Sequence, residues 1–108
     1  MKLLALGDVV SDGGCGAVSK LLHKIKRQYN IDVCIVNGEN SAKGNGILPS
    51  SAESLISAGV DMITTGNHVF RRHETADFLD ENKFCLRPYN MHPSCPGKGT
   101  GIIDMGSY

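Results

Sequence analysis

Three short blocks hold the residues best suited to chemistry: Leu6-Gly7-Asp8, Val36-Asn37-Gly38-Glu39-Asn40 and Thr65-Gly66-Asn67-His68. Each reads as the end of an apolar run, a glycine, then an acid or an amide. Gly7, Gly38 and Gly66 stand 31 and 28 residues apart, and one βαβ step consumes about 30 residues. The spacing predicts that Asp8, Glu39, Asn40, Asn67 and His68 converge at the carboxyl edge of a parallel sheet, where open α/β sheets hold their ligands. Glycine at each strand end is expected to let the chain turn sharply without a Cβ clash. The blocks contain no Lys or Arg, so their carboxylates would repel one another unless a cation lies between them. Oxygen donors with some imidazole suit manganese, iron or a similar divalent ion, and a carboxylate such as Glu39 can bridge two ions about 3.5–4 Å apart. That arrangement serves two-metal hydrolysis of phosphoesters. Taken singly, each block is an ordinary turn with local hydrogen bonds, and it is their common register that points to a metal.

The elements that must position these blocks alternate along the chain. Lys2 to Gly7 is a short apolar run that suits a strand buried on both faces. From Ala17 to Gln28, Val18, Leu21, Leu22 and Ile25 recur at helical spacing with Lys20, Lys24, Lys26 and Arg27 between them, which predicts an amphipathic helix with a solvated basic face. Val33 to Val36 reads as a second strand. Ser50 and Glu53 have capping-box spacing and open a helix that stops at Gly59. Asp61 to Thr65 is a third strand, His73 to Glu81 a further helix, and Phe84 to Leu86 a brief fourth strand ended by Pro88. Pro88 to Gly101 is a structured loop, and Gly101 to Gly106 a candidate last strand. This alternation implies right-handed βαβ crossovers and an α/β fold.

Composition narrows the function classes. The chain has 108 residues, with 11 Lys plus Arg against 11 Asp plus Glu, so no chain-wide field draws it to nucleic acid or an acidic membrane, and a polyanion must be held locally. The apolar run Leu3 to Leu6 is too short for a secretory segment or a membrane span, which implies a cytoplasmic protein with no membrane partner. Cys15, Cys34, Cys85 and Cys95 show no CxxC spacing and read as reduced packing thiols. Gly13-Gly14-Cys15-Gly16 does not meet the dinucleotide fingerprint, and Gly97-Lys98-Gly99 lacks the upstream glycine of a Walker loop, since His92 stands there.

The same blocks carry a resemblance. Gly7-Asp8, Gly38-Glu39-Asn40 and Gly66-Asn67-His68 resemble the signature motifs of calcineurin-like metallophosphoesterases. More narrowly, LALGDVV, IVNGENSAKGNGI, ITTGNHVF and RPYN followed by PGKG are similar, in order and spacing, to the bacterial YmdB-type phosphodiesterases. The resemblance implies that Asp8 and Asn40 are ligands of one divalent ion, Glu39 the bridge and Asn67 a ligand of the other, with His68 as the proton donor to the departing oxygen. It implies two ions, iron or manganese first and magnesium as a further candidate. The implied substrate is a 2′,3′-cyclic nucleotide or related small phosphodiester, with RNA ends as a further one. Val10 stands where the wider superfamily has a D-x-H histidine, consistent with Asn40 taking that ligand position.

Family members are longer and take three further histidine ligands from their second half. His23, His73 and His92 fall on a helix face, at a helix start and in the Pro-rich loop, and do not fill those roles. Residues 1–108 are thus expected to form the parallel-sheet βαβ half of an α/β/β/α sandwich, apparently truncated and part of a single domain. Its open side is expected to be apolar, with Phe84, Ile102 and Ile103 contributing, and to favour a homo-oligomer. The readings from other classes are a non-catalytic nucleotide- or metal-binding module and an inactive remnant.

Overall fold

In the computed structural model, which describes residues 1–106, three parallel strands form a sheet in the order β1-β2-β3. They are β1 (Leu3–Leu6), β2 (Val33–Asn37) and β3 (Met62–Thr64), linked by α1 (Ser11–Tyr29) and α2 (Pro49–Ser57), with α3 (Thr75–Glu81) following β3. Leu3 pairs with Val33 and Leu6 with Val36, while Ile35 pairs with Met62 and Asn37 with Thr64. This register places all three strand ends at one edge, as the glycine spacing predicts. The fold is α/β with a parallel sheet.

Alternation along the strands sends Leu4, Leu6, Cys34, Val36 and Ile63 into one core with Leu22 of α1, Leu55 of α2, Ile47, Val69 and Leu79. Among the described residues no helix covers the opposite face. There Leu3 is 52% exposed, and a groove of about 300 Å³ runs over Leu3, Val33, Ile35, Met62 and Thr64, bordered by Ile103 and Met105. The shortest dimension is 19 Å, which holds one helix layer and one sheet layer, each about 10 Å deep.

Several expectations need correction. Helix α1 begins at Ser11, not Ala17, because the glycine-rich stretch is helical. A Cβ on Gly14 would lie 3.0 Å from Val9 Cγ1, so the first turn packs tightly on the β1 connection. Cys15 is buried there, and Ser11 N–H donates to Asn40 O at 2.9 Å. These contacts outweigh a helix penalty of about 1 kcal/mol per glycine. Helix α2 does not use Ser50 with Glu53. Pro49 occupies its first turn, and Leu48 N–H donates to Ser51 Oγ at 3.0 Å.

Helix α3 starts at Thr75, whose Oγ1 donates to Ile47 O. The fourth strand is reduced to one bridge between Ile63 and Cys85, although Ile63 N–H donates to Phe84 O at 2.7 Å and Leu86 N–H to Ile63 O at 2.9 Å. No strand forms over residues 101–106. Phe84 packs edge-on against Phe78, ring centroids 6.0 Å apart, and so belongs to the core side. Ile103 borders the apolar groove as expected, whereas Ile102, 94% exposed, lies beside Lys83 and Lys98 and does not line that groove.

The four cysteines are free thiols. Burial raises the Cys15 and Cys34 thiols above their ordinary range and pushes Cys85 up to about 12. Thiolate chemistry is thereby suppressed at these positions, in keeping with packing roles.

Candidate functional site

The sheet edge is assembled by backbone bonds between consecutive connections. Val9 N–H donates to Asn37 O at 3.1 Å, tying the chain after β1 to the end of β2, and Gly38 N–H donates to Thr64 O at 2.9 Å, tying the end of β2 to β3. Ser41 is buried, and its hydroxyl donates to Gly38 O at 2.7 Å, closing the turn that carries Glu39 and Asn40.

Within this frame the site residues form two contacts. Asn40 Nδ2 donates to Asp8 Oδ1 at 3.0 Å, so the amide's Oδ1 is not consumed by that bond. Glu39 reaches across to the connection after β3, where its Oε2 accepts the His68 backbone N–H at 2.7 Å. Its own N–H donates to Asn37 Oδ1 at 3.1 Å. Asn67 is exposed, next to Gly66 on the same turn. The His68 ring has its Nδ1 buried without a partner. The structure thus joins Asp8 to Asn40 and Glu39 to the His68 backbone at one edge. Asn67 lies on that edge with no side-chain hydrogen bond among the described residues.

Glycine does not act here as the turn reading expects. None of Gly7, Gly38 and Gly66 has positive φ. A Cβ on Gly38 would lie 2.8 Å from Ile63 Cγ2, and one on Gly66 would lie 2.7 Å from Glu39 Cδ, whereas one on Gly7 would meet nothing within 4 Å. Close approach, not turn geometry, requires the second and third glycines. Gly66→Ala is therefore expected to push the Glu39 carboxylate off the His68 N–H and to cost ~1–3 kcal/mol through loss of that hydrogen bond to a charged group. Gly7→Ala should stay within ~0.5 kcal/mol of the parent. Urea unfolding of the two variants checks this, and equal midpoints would sink it.

The donor chemistry suits a hard divalent ion in kind: two carboxylates and two carboxamides, with an imidazole beside them. In number it is incomplete, since among the described residues no three His, Cys, Asp or Glu side chains come together to hold a metal. The other histidines lie elsewhere, His73 against Glu74 at 3.0 Å and His92 against Ser94 at 2.7 Å, with His23 exposed on α1.

Sequence reasoning missed the clamp on the loop that follows Asn40. Arg72 Nε donates to Asn45 O at 3.1 Å and its Nη2 to Lys43 O at 2.5 Å, and Thr75 holds Ile47 O. A Cβ on Gly46 would lie 3.1 Å from Arg71 Cβ. Nothing in the local sequence announces these bonds, which span 27 to 29 residues.

Comparison with known proteins places this geometry in context. A family model described as YmdB-like protein matches residues 4–108. The 2′,3′-cyclic-nucleotide 2′-phosphodiesterase of Bacillus subtilis is 40% identical over 103 residues, covering 95% of this chain and 39% of that protein. Among solved structures, a hypothetical protein from Thermus thermophilus superposes with a TM-score of 0.89 at 38% identity, over 99% of this chain and 41% of that one. A novel phosphatase from Mycoplasma pneumoniae superposes with a TM-score of 0.82 at 35% identity, over 92% of this chain and 37% of that one. The chain spans about two fifths of the length of these proteins.

Proposed function

This chain belongs to the YmdB-like family, and we propose that it carries the first half of the site of a metal-dependent phosphodiesterase acting on a 2′,3′-cyclic nucleotide or related small phosphodiester. RNA ends are a secondary substrate class of the same chemistry. The observation that carries this reading is the meeting, at one sheet edge, of the Asp8–Asn40 pair and the Glu39 carboxylate seated beside His68. The Bacillus subtilis relative, named for cyclic-nucleotide phosphodiesterase activity, supports the substrate class.

Asp8 and Asn40 would hold one divalent ion, Glu39 would bridge, and Asn67 would hold a second, with iron or manganese first and magnesium next. Such ions supply Lewis-acid stabilisation of charge on the phosphate oxygens. The protein's own residues do the rest. Glu39 is anchored by the His68 N–H, which fixes the carboxylate without using the ring. The buried Nδ1 leaves Nε2 as the ring atom that hands a proton to the leaving oxygen. Arg72 and Thr75, by fixing the loop over residues 43–47, hold the chain beyond Asn40 still.

Residues 1–108 act as one part of a single, larger phosphoesterase domain in the cytoplasm. Among the described residues no helix is long and apolar enough to cross a membrane.

Calorimetric titration of the chain with manganese tests the ligand assignment. Weak binding is expected, lost in Glu39→Ala and in Asp8→Ala and retained in His73→Ala. Binding that survives Glu39→Ala would remove the basis of the proposal.

A further inference from the structure

The turn that carries Glu39 and Asn40 is tied to α2 by two serine hydroxyls outside the proposed ligand set. Ser41 is 1% exposed, and its Oγ lies 2.7 Å from Gly38 O and 3.0 Å from Ser51 Oγ. Ser51, in the first turn of α2, accepts the Leu48 N–H at 3.0 Å and stands 2.9 Å from Leu48 O. Each hydroxyl has one hydrogen to give. Ser41 directs its hydrogen to Gly38 O, the shorter of its two contacts. Leu48 O already accepts the Ala52 N–H at 3.0 Å, whereas Ser41 Oγ would otherwise accept nothing, so the Ser51 hydrogen goes to Ser41. The result is a one-way chain from Leu48 N–H through Ser51 and Ser41 to the Gly38 carbonyl, with every donor used once. Bonds aligned head to tail in this way polarise and strengthen one another.

This chain ends inside the turn on which the ligand assignment depends. Ser41 N–H donates to Gly38 O at 3.1 Å, which places Glu39 and Asn40 at the two central positions. The backbone of both is already held from β2 and α1. Asn37 Oδ1 accepts the Glu39 N–H at 3.1 Å, and Ser11 N–H donates to Asn40 O at 2.9 Å. The serine pair adds a third anchor, on α2. Oxygen donors hold an ion well only when their spacing is fixed, and groups that orient ligands without touching the ion are worth about 10–100-fold in affinity.

We infer that Ser41 and Ser51 are positioning residues that set Glu39 and Asn40 for the divalent ion, Ser51 acting through Ser41. The inference rests on the metal-dependent reading proposed above. It gives α2 a share in the geometry of the site.

The test uses the 15N-labelled chain. Without metal, amide hydrogen exchange of Glu39 and Ser41 should quicken at least tenfold in Ser41→Ala and in Ser51→Ala. Ile63, whose N–H donates to Phe84 O in the core, should keep the parent rate, because the opening is local. Ser51→Thr retains the hydroxyl and should stay within about threefold of the parent, as should Ser50→Ala on the same helical turn. With manganese added, paramagnetic broadening of the Glu39 and Asn40 amides gives the dissociation constant of the ion, expected to rise at least fivefold in either alanine variant. Because the two serines act as one chain, the double variant should bind within about twofold of the single ones. Effects of the two singles that multiply, equal quickening at Ile63 and in the turn, no rescue by Ser51→Thr, or unchanged manganese affinity in Ser51→Ala would each overturn the proposal. If Ser41→Ala fails to fold, Ser51→Ala and Ser51→Thr decide it. A parent in which manganese broadens neither amide would sink the metal reading and with it the ion-binding part of this inference, and the exchange rates alone then decide whether the serines order the turn.

Discussion

Alanine at the position aligned with His68, in a relative of full length, is expected to lower kcat ~10²–10⁴-fold, the usual range for one general acid, while metal content stays nearly intact. The geometry supplies the reason for the split. Glu39 is held by the backbone N–H of His68 at 2.7 Å, a donor that alanine retains, so removing the imidazole leaves the carboxylate anchored. Alanine at Glu39 or Asn67 removes an oxygen donor outright and should strip metal together with activity. Steady-state kinetics beside elemental analysis of each purified variant reads both quantities. A His68→Ala protein that loses metal as completely as Glu39→Ala would make the imidazole a ligand and assign the acid role to another residue.

How far the sequence could be read depends on whether a feature is periodic or tertiary. The apolar runs at Leu3, Val33 and Met62 and the repeated glycine-polar ends make the parallel sheet and the edge that gathers the candidate residues legible, because strand spacing and edge position follow from chain order alone. The start of α1 was not legible. Intrinsic propensity argues against helix through Gly13, Gly14 and Gly16, and only the packing of Gly14 on Val9 reverses that preference. Relief from a Cβ clash holds as the reason for glycine at Gly38 and Gly66 and fails at Gly7, while the backbone conformation requires glycine at none of the three. Gly38 and Gly66 make room for Ile63 and Glu39, contacts between residues more than 20 positions apart. Phe84 looked like an open-side residue because it follows a strand pattern, yet α3 supplies Phe78 to cover it. The Arg72 clamp and the Ser41–Ser51 link are likewise products of tertiary placement, and composition gives no sign of either.

The 108-residue chain by itself should hydrolyse phosphodiesters at no more than ~1% of the rate of a full-length relative, because metal affinity and activity fall ~10–100-fold for each supporting interaction removed. Asp8 and Glu39 bring two negative charges, and Asn40 and Asn67 add neutral amides, whereas holding two ions takes about four or more donors to each. No three acidic, thiol or imidazole groups meet among the described residues. Excess manganese raises occupancy by mass action but does not supply missing ligands. The apolar sheet face offers one route to a fuller site. A second copy laid over Leu3, Ile35 and Thr64 would bury that groove and give a homo-oligomer, which sedimentation resolves alongside the assay. Turnover at the rate of full-length relatives, abolished by Asp8→Ala and carried by a monomer, would overturn the view that this segment holds only part of the machinery. The same turnover confined to a dimer would mean that the completing donors come from another copy of the chain.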